Sequence, residues 1–158
     1  MQSWCVNLLA IPVDAYKLGT VIGKGALIQA GGDNILAPDV MFVAGNPAMP
    51  DDTASAPLLA IDIIHRQTPQ PVRKKLQALY ARAHMLEYWQ IEADSGRFFL
   101  YQANAAWKYD LIPPDVAALH FSTAIVELSF PVVWFTQLPD IWTMMAYWGM
   151  IEDLGHET

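Results

Sequence analysis

The chain has 158 residues, of which 54% are hydrophobic and 16% are charged, and its formal net charge is −7. The length and the apolar content favour one domain, residues 1–158, with a substantial core, and exclude an intrinsically disordered chain. Taken alone, the negative charge argues against tight nucleic-acid binding, because such binding depends on neutralising phosphates.

Neither a membrane span nor a disulfide is predicted. No apolar run reaches the roughly 18 residues that cross a bilayer. The sequence opens without the basic segment of a signal peptide. The one cysteine, Cys5, excludes an intramolecular disulfide and is typical of a reducing compartment. These features together indicate a cytoplasmic protein.

The first predicted elements are a helix and a β-hairpin. Residues 2–18 are mostly apolar and favour a helix. Residues 26–29 and 35–43 form two strands of a hairpin, because the glycine- and asparagine-rich segment 31–34 between them is a strong turn signal. Pro38 marks the second strand as an edge strand or a bulged one.

A buried strand and a basic helix follow a predicted loop at residues 45–57. Residues 58–64 are apolar except for Asp62, so this strand is predicted to be central and covered on both faces. Two prolines separate it from a helix at residues 72–83, and Pro71 suits the first turn of that helix.

The last third of the chain is predicted to be mostly strand. Residues 86–91 and 97–102 flank an Asp-Ser-Gly turn and therefore predict a hairpin. Residues 116–121 and 125–135 alternate loosely and favour two further strands. A final apolar helix is predicted over residues 141–151.

Two carboxylates interrupt sequence that is otherwise typical of buried strand. Asp39 precedes the apolar run 40–43, and Asp62 lies in the predicted central strand. Aspartate is depleted from strands and is rarely buried without a partner, so both positions are candidate functional residues. On adjacent strands the two carboxylates would come together and bind a hard cation such as Mg²⁺ or Mn²⁺. The alternative is that each aspartate caps a strand end.

A group of cations in and before the predicted helix is the second candidate feature. Five of the nine basic residues fall between residues 66 and 82, and they could bind DNA as a local basic patch: Arg66, Arg73, Lys74, Lys75 and Arg82. Since successive helical residues turn by about 100°, Lys75 and Arg73 flank the apolar stripe and Lys74 points to solvent. Lys75 is the first candidate for a catalytic cation and Arg73 the second. A solvated basic face is the alternative for each of them.

The order of these motifs resembles that of a known family. Pro38-Asp39-Val40, the run 58–64, the helix segment from Lys75 to Ala83 and Glu87-Tyr88-Trp89 are similar to the Uma-type putative restriction endonuclease family of the PD-(D/E)XK nuclease superfamily. The resemblance implies an α+β fold with a restriction-endonuclease-like core, in which helices flank a mixed β-sheet. It also implies a metal-dependent DNA endonuclease with Asp39 and Asp62 as metal ligands and Lys75 as the catalytic cation.

Several positions depart from the family pattern. The second acid of the family is usually glutamate, and here it is Asp62. The family lysine stands four residues before a helical tyrosine, a place taken here by Leu76, with Lys75 one residue earlier. His84 replaces the glycine that ends the helix, and no N-terminal hairpin with a glutamate precedes the first helix. These departures support a second hypothesis, a catalytically degenerate module that acts in binding or oligomeric assembly.

Two further expectations concern other residues. His65 follows the strand of Asp62 and would allow a small-molecule hydrolase that uses both acids, although a loop position explains it as well. Three tryptophans near the end, Trp134, Trp142 and Trp148, predict either an apolar surface that is buried in a homodimer or a filled core.

Overall fold

A mixed sheet whose central strands carry both candidate acids organises the fold. The computed structural model describes residues 1–45 and 56–152, so most of the loop predicted at 45–57 lies outside the described residues. The helices are α1 (Gln2–Ala15), α2 (Gln70–Arg82), α3 (Trp134–Gln137) and α4 (Ile141–Tyr147). The strands are β1 (Gly19–Ile22), β2 (Ile28–Gln29), β3 (Ile35–Leu36), β4 (Val40–Ala44), β5 (Ala56–Ile64), β6 (Glu87–Glu92), β7 (Phe98–Ala103), β8 (Tyr109–Leu111), β9 (Leu119–Phe121) and β10 (Ser129–Pro131).

Within the described residues, six strands form the main sheet in the order β1-β4-β5-β6-β7-β8. Strands β5 and β6 are parallel and the other neighbours are antiparallel, because α2 forms the crossover between β5 and β6. The two smaller sheets pair β2 with β3 and β9 with β10. This arrangement confirms the expected α+β fold with a mixed sheet flanked by helices.

Each face of the sheet packs against its own cluster of apolar side chains. Trp89 of β6 belongs to the cluster with α1, α3 and α4, while its neighbour Tyr88 belongs to the cluster with α2 and the β2–β3 hairpin. Adjacent residues of a strand point to opposite faces, so both faces of β6 are covered. All six residues of β6 are buried accordingly. None of the described helices is both long and apolar enough to cross a membrane.

Helix α2 ends where the backbone enters the left-handed region at His84, with φ of 59°. The N–H of Met85 donates to the carbonyl of Tyr80 at 3.1 Å, and the N–H of His84 donates to Ala81 at 3.0 Å. These bonds satisfy carbonyls of the last turn, as a glycine at this position usually allows. His84 therefore performs the turn that glycine performs in the family pattern, at the cost of a conformation that non-glycine residues seldom adopt.

Several predicted elements are confirmed and several are wrong. The helix at the N-terminus, the buried strand around Asp62 and the β6–β7 hairpin are present. The predicted strand 35–43 is two strands, because Pro38 separates β3 from β4. Strand β4 pairs on both sides, so the prediction of an edge strand is wrong, although its register shifts between Phe42 and Val43. The predicted strand 125–135 contains β10 and the start of α3.

The three tryptophans near the end have different environments. Trp134 is buried in the core, Trp148 packs against it, and Trp142 on α4 is 62% exposed. Core filling therefore accounts for two of the three side chains. The homodimer stays a prediction, with Trp142 as its exposed aromatic residue.

His120 is a buried imidazole in a nest of aromatic rings. Its ring lies 4.7 Å from that of Phe98 and 5.7 Å from that of Phe130. Among the described residues, neither ring nitrogen has a hydrogen-bond partner. Burial lowers the pKa of His120 to about 4, since a charged imidazolium would lose its hydration there. The side chain is therefore neutral in the folded protein at neutral pH.

His120→Phe should remove one cause of acid instability. A depressed pKa in the folded state means that stability is full above the unfolded pKa and is lost as pH falls towards the folded pKa. The difference in unfolding free energy, variant minus wild type, should therefore rise by about 2 kcal/mol when the pH is lowered from 7 to 5. Urea unfolding at both pH values measures this difference, and an equal difference at both would contradict it.

Candidate active site

Asp39 is fixed against the strand of Asp62 by two hydrogen bonds. The backbone N–H of Asp39 donates to the carbonyl of Ile61 at 2.9 Å, and its carboxylate oxygen Oδ2 accepts from the N–H of Ile63 at 2.7 Å. These partners are the residues on either side of Asp62. The carboxylate thus takes the place of a backbone acceptor at the start of β4. The two predicted ligands lie side by side on neighbouring strands.

Asp62 is buried and accepts two tyrosine hydroxyls. Tyr88 donates to Oδ2 at 2.8 Å and Tyr80 donates to Oδ1 at 3.2 Å. The tyrosine rings stack with centroids 4.3 Å apart. Burial raises the pKa of Asp62 to about 6, the hydroxyl donors oppose that rise, and the negative charge of Asp39 adds to it. Asp62 is therefore an acid whose charge a nearby cation would stabilise.

Both hydroxyls remain protonated donors. Burial raises the pKa of Tyr80, and the charge of Asp62 raises it further. The pKa of Tyr88 is raised for the same reasons. Each carboxylate oxygen has room for a second interaction after accepting one hydroxyl. Asp62 can thus keep its tyrosine contacts and still face a cation.

Gln90 adds a neutral oxygen beside Asp62. The register of the parallel strands places Gln90 directly opposite Asp62. Its Nε2 donates to the hydroxyl of Tyr88 at 3.2 Å and to the carbonyl of Arg73 at 3.1 Å. Its Oε1 is buried and has no partner among the described residues. An unpaired buried acceptor is costly, so this oxygen is a feature of the site that calls for a donor or a cation.

The oxygen donors fit a hard divalent cation bound partly by the protein. Asp39 and Asp62 supply two carboxylates from adjacent strands, and Asp39 is partly exposed. In the part of the chain that the structure describes, no three His, Cys, Asp or Glu side chains cluster as metal ligands. Mg²⁺ is commonly bound by one or two carboxylates, with waters and substrate phosphates completing its shell. A pair of carboxylates is consistent with that mode.

Arg73 is a buried cation, which corrects the expectations that it contacts DNA and that it is the second candidate for the catalytic cation. Its guanidinium is buried and contacts Glu92 at 2.9 Å. It also donates to three backbone carbonyls, those of Thr68, His65 and Arg66. Four of the five N–H donors of this buried guanidinium are engaged within the protein, so it is not available to a phosphate at the surface. Arg73 instead joins α2 to β6 and to the loop before α2.

The other predicted cations are exposed. Lys74, Lys75 and Arg82 lie on the outer side of α2, and Arg66 pairs with Asp94 at 3.2 Å. Tyr80 is five positions after Lys75, which corresponds to about 140° around the helix. Lys75 thus points well away from the tyrosine that contacts Asp62. Its role as the catalytic cation stays a prediction.

His65 is 60% exposed and contacts Asp94 at 3.5 Å. Its ring nitrogen Nδ1 also accepts from the backbone N–H of Gln67 at 3.1 Å. The contact with Gln67 lies within the loop between β5 and α2, and the contact with Asp94 joins that loop to the β6–β7 turn. This is the loop role that the sequence offered as the alternative to a catalytic base.

Glu87 and Glu92 are buried functional candidates that the sequence reading missed. Both lie on β6 and are almost fully buried. Ser122 donates a short hydrogen bond to Glu87, and burial raises the pKa of that carboxyl to about 7. The signal that identified Asp62, an acid in an apolar strand, applies equally to both glutamates.

A family of proteins with these motifs matches most of this chain. The family model named Uma2, described as "Putative restriction endonuclease", matches residues 2–137. The chain belongs to this family. The expectation drawn from the Pro-Asp strand, the strand of Asp62 and the Glu-Tyr-Trp strand is confirmed.

A solved structure agrees with this assignment at the level of the fold. The crystal structure of a putative nuclease belonging to DUF820 from Anabaena variabilis ATCC 29413 aligns with a TM-score of 0.64 and 18% sequence identity. The alignment covers 87% of this chain and 78% of that one. This chain therefore shares the fold of that protein. None of the curated proteins matches it.

Proposed function

We propose that this Uma2 protein is a metal-dependent endonuclease that hydrolyses DNA phosphodiester bonds. The observation that carries the proposal is the hydrogen bonding of Asp39 to the residues on either side of Asp62. It binds Asp39 to the backbone on both sides of Asp62, and none of the described contacts of either carboxylate is with a lysine or arginine. Such a pair is most stable when a cation shares it.

The residues of the site have distinct tasks in this proposal. Asp39 and Asp62 would hold Mg²⁺ or Mn²⁺, which supplies electrostatic stabilisation for the charge that develops on a phosphodiester. The hydroxyls of Tyr80 and Tyr88 fix the orientation of the Asp62 carboxylate. Above a pH of about 6, Asp62 is ionised and ready to bind the cation. The unpaired oxygen of Gln90 is a further polar group on the same strand pair.

The alternative is a catalytically degenerate module with the same fold. Leu76 occupies the place of the family lysine, and Lys75 lies about 140° around α2 from Tyr80. If no other cation assists the reaction, the acids would bind metal without cleaving DNA. The protein would then act in binding or in oligomeric assembly, and metal binding would be separable from cleavage.

Asp39→Asn should abolish metal-dependent nicking of supercoiled plasmid DNA. Asparagine can still accept the N–H of Ile63, so the fold is kept while a ligand charge is lost. We expect the rate to fall by about 10²-fold or more, the effect of removing one preorganised electrostatic group. Calorimetry with Mg²⁺ and Mn²⁺ on the same variant should show weaker binding of the metal.

Asp14→Asn is the matched control, because Asp14 is an exposed residue of α1. It should nick DNA and bind metal as the wild type does. Nicking at equal rates by the wild type and Asp39→Asn would contradict the proposal. Metal binding that depends on Asp39, without any nicking by the wild type, would favour the degenerate module.

A further inference from the structure

A basic pocket of about 490 Å³ lies between α2 and the turn that joins β7 to β8. Three cations line it: Lys74 and Arg82 from α2, and Lys108 from the turn. The described residues of its lining include no carboxylate. On a chain whose net charge is −7, this pocket is a local reversal of sign. It therefore attracts an anion.

Two aromatic rings form one wall of this pocket. The rings of His84 and Trp107 stack with centroids 4.3 Å apart and an interplanar angle of 13°. Both residues have backbone φ in the left-handed region, 59° for His84 and 54° for Trp107. Non-glycine residues seldom adopt this conformation, and such outliers cluster at functional sites. Trp107 is 40% exposed, so part of the indole remains open to a ligand.

The turn between β7 and β8 is held in the shape that presents Trp107 and Lys108. The side-chain Oδ1 of Asn104 accepts from the backbone N–H of Ala106 at 2.9 Å and from that of Lys108 at 3.1 Å. The backbone N–H of Trp107 donates to the carbonyl of Asn104 at 3.0 Å. The backbone that carries Trp107 and Lys108 is thus ordered before a ligand binds.

We propose that this pocket binds one unpaired nucleotide of a DNA strand. The base stacks on the indole of Trp107, and the flanking phosphates contact Lys74, Arg82 and Lys108. Ring stacking with a cationic groove is the general means of binding single-stranded nucleic acid. A base inside a duplex has both faces covered by its neighbours, so the exposed indole favours an unpaired base. The volume also suits a small ligand.

The pocket adjoins the candidate active site, and this inference rests on the proposed function. Tyr80 contacts Asp62, and the next residue, Ala81, lines the pocket. Tyr109 also lines the pocket and stacks on Tyr88, the second tyrosine that contacts Asp62. A strand held in the pocket is therefore separated from Asp62 by one layer of side chains. The pocket would hold the substrate strand beside the point of cleavage.

Fluorescence anisotropy of a labelled oligothymidylate in EDTA tests the proposal without cleavage. Trp107→Ala should raise the Kd about tenfold, at the lower end of the effect of stacking one base. Trp107→Phe, which keeps a ring, should recover part of the affinity. The control Trp142→Ala removes another exposed tryptophan and should leave the Kd unchanged. An abasic strand should bind the wild type and Trp107→Ala equally weakly.

The cations are tested by the salt dependence of the same binding. Arg82→Gln with Lys108→Gln should lower the slope of log Kd against log salt by about 1.4, since each phosphate contact on a single strand contributes about 0.7. Lys17→Gln, an exposed lysine outside the pocket, should leave the slope unchanged. No binding by the wild type, equal Kd values for Trp107→Ala and Trp142→Ala, or an unchanged slope in the double variant would overturn the proposal.

The two proposals fail in different ways. If plasmid nicking does not depend on Asp39 but oligothymidylate binding follows Trp107, the proposed function is wrong and the pocket stands. If nicking depends on Asp39 but binding ignores Trp107 and the two cations, the pocket is wrong and the nuclease stands.

Discussion

Replacing Asp62 by asparagine should make the protein more stable in the absence of metal and inactive in its presence. Burial raises the pKa of Asp62 from an ordinary 3.8 to about 6. A carboxyl whose folded pKa is raised contributes stability at low pH, and this contribution is lost as pH rises through the folded value. At pH 8 the ionised side chain therefore lowers the unfolding free energy by up to about 3 kcal/mol, whereas asparagine carries no charge and has no such cost.

The pH dependence distinguishes this explanation from a general effect of the substitution. The variant should exceed the wild type by about 2–3 kcal/mol at pH 8, and the difference should shrink towards zero below pH 4. Asparagine also preserves the geometry, since its Oδ1 accepts one tyrosine hydroxyl and its amide donates to the other. Urea unfolding between pH 4 and pH 8 in EDTA measures the difference.

If Asp62 binds the metal as proposed, adding metal should make the wild type more stable than Asp62→Asn. A ligand that binds only the folded state adds RT ln(1 + [L]/Kd) to the unfolding free energy. Saturating Mg²⁺ should therefore stabilise the wild type and leave Asp62→Asn unchanged. DNA nicking by the variant should fall by about 10²–10³-fold.

Asp110→Asn is the control, because Asp110 is an exposed aspartate on β8. It should show neither the gain in stability nor the loss of nicking. A stability difference between Asp62→Asn and the wild type that is the same at pH 4 and pH 8 would contradict the buried-charge explanation. Nicking by Asp62→Asn at the wild-type rate would exclude Asp62 as a metal ligand.

The sequence was sufficient to find the acidic pair because a buried acid is a strong local signal. Asp39 and Asp62 stand out against apolar neighbours, and the prolines around position 70 mark the change from strand to helix. The family pattern then supplied the order of the elements, and the structure confirmed the mixed sheet. What the sequence could not supply was the tyrosine pair, since Tyr80 and Tyr88 meet Asp62 through packing between different elements.

Strand β1 was not predicted from the sequence, because glycine is depleted from strands. Gly19 begins the strand instead, where a Cβ atom would collide with the carbonyl oxygen of Val43 on β4. The glycine is thus required by the close approach of two backbones, which is a tertiary property.

The split of the predicted strand 35–43 at Pro38 also depends on tertiary pairing. Residues after Pro38 pair with β1 and β5, while residues before it pair with β2.

The buried ion pair could not be predicted from helix geometry alone. The helical pattern placed Arg73 at the edge of the apolar stripe, but both the solvated face and the DNA contact were wrong for this residue, which is buried. Its partner Glu92 lies at the end of β6, and only the docking of α2 on the sheet brings them together. A charged side chain at the edge of an apolar stripe can be exposed to solvent or buried against a partner of opposite charge, and the sequence does not distinguish these two environments.

Arg73→Met should be the most destabilising of these substitutions. The guanidinium is 5% exposed, contacts Glu92 at 2.9 Å, and donates to three backbone carbonyls. Although burial raises the pKa of Glu92, hydrogen bonds from Ser95 and Arg73 lower it below its ordinary value, so the partner is ionised. Removing Arg73 leaves a buried charge and unpaired carbonyls. We expect a loss of about 3–5 kcal/mol in the unfolding free energy.

Removing both charges should cost less than removing one. In Arg73→Met with Glu92→Gln, no buried charge remains, so part of the loss should be recovered, and the double-mutant cycle isolates the coupling between the two residues. Lys75→Gln, an exposed neighbour on the same helix, should change stability by no more than about 0.5 kcal/mol. Urea unfolding at neutral pH measures all four proteins. An additive cycle would show that Arg73 acts through its backbone contacts and not through Glu92, whereas a loss below about 1 kcal/mol in Arg73→Met would show that the pair is exposed to water in solution.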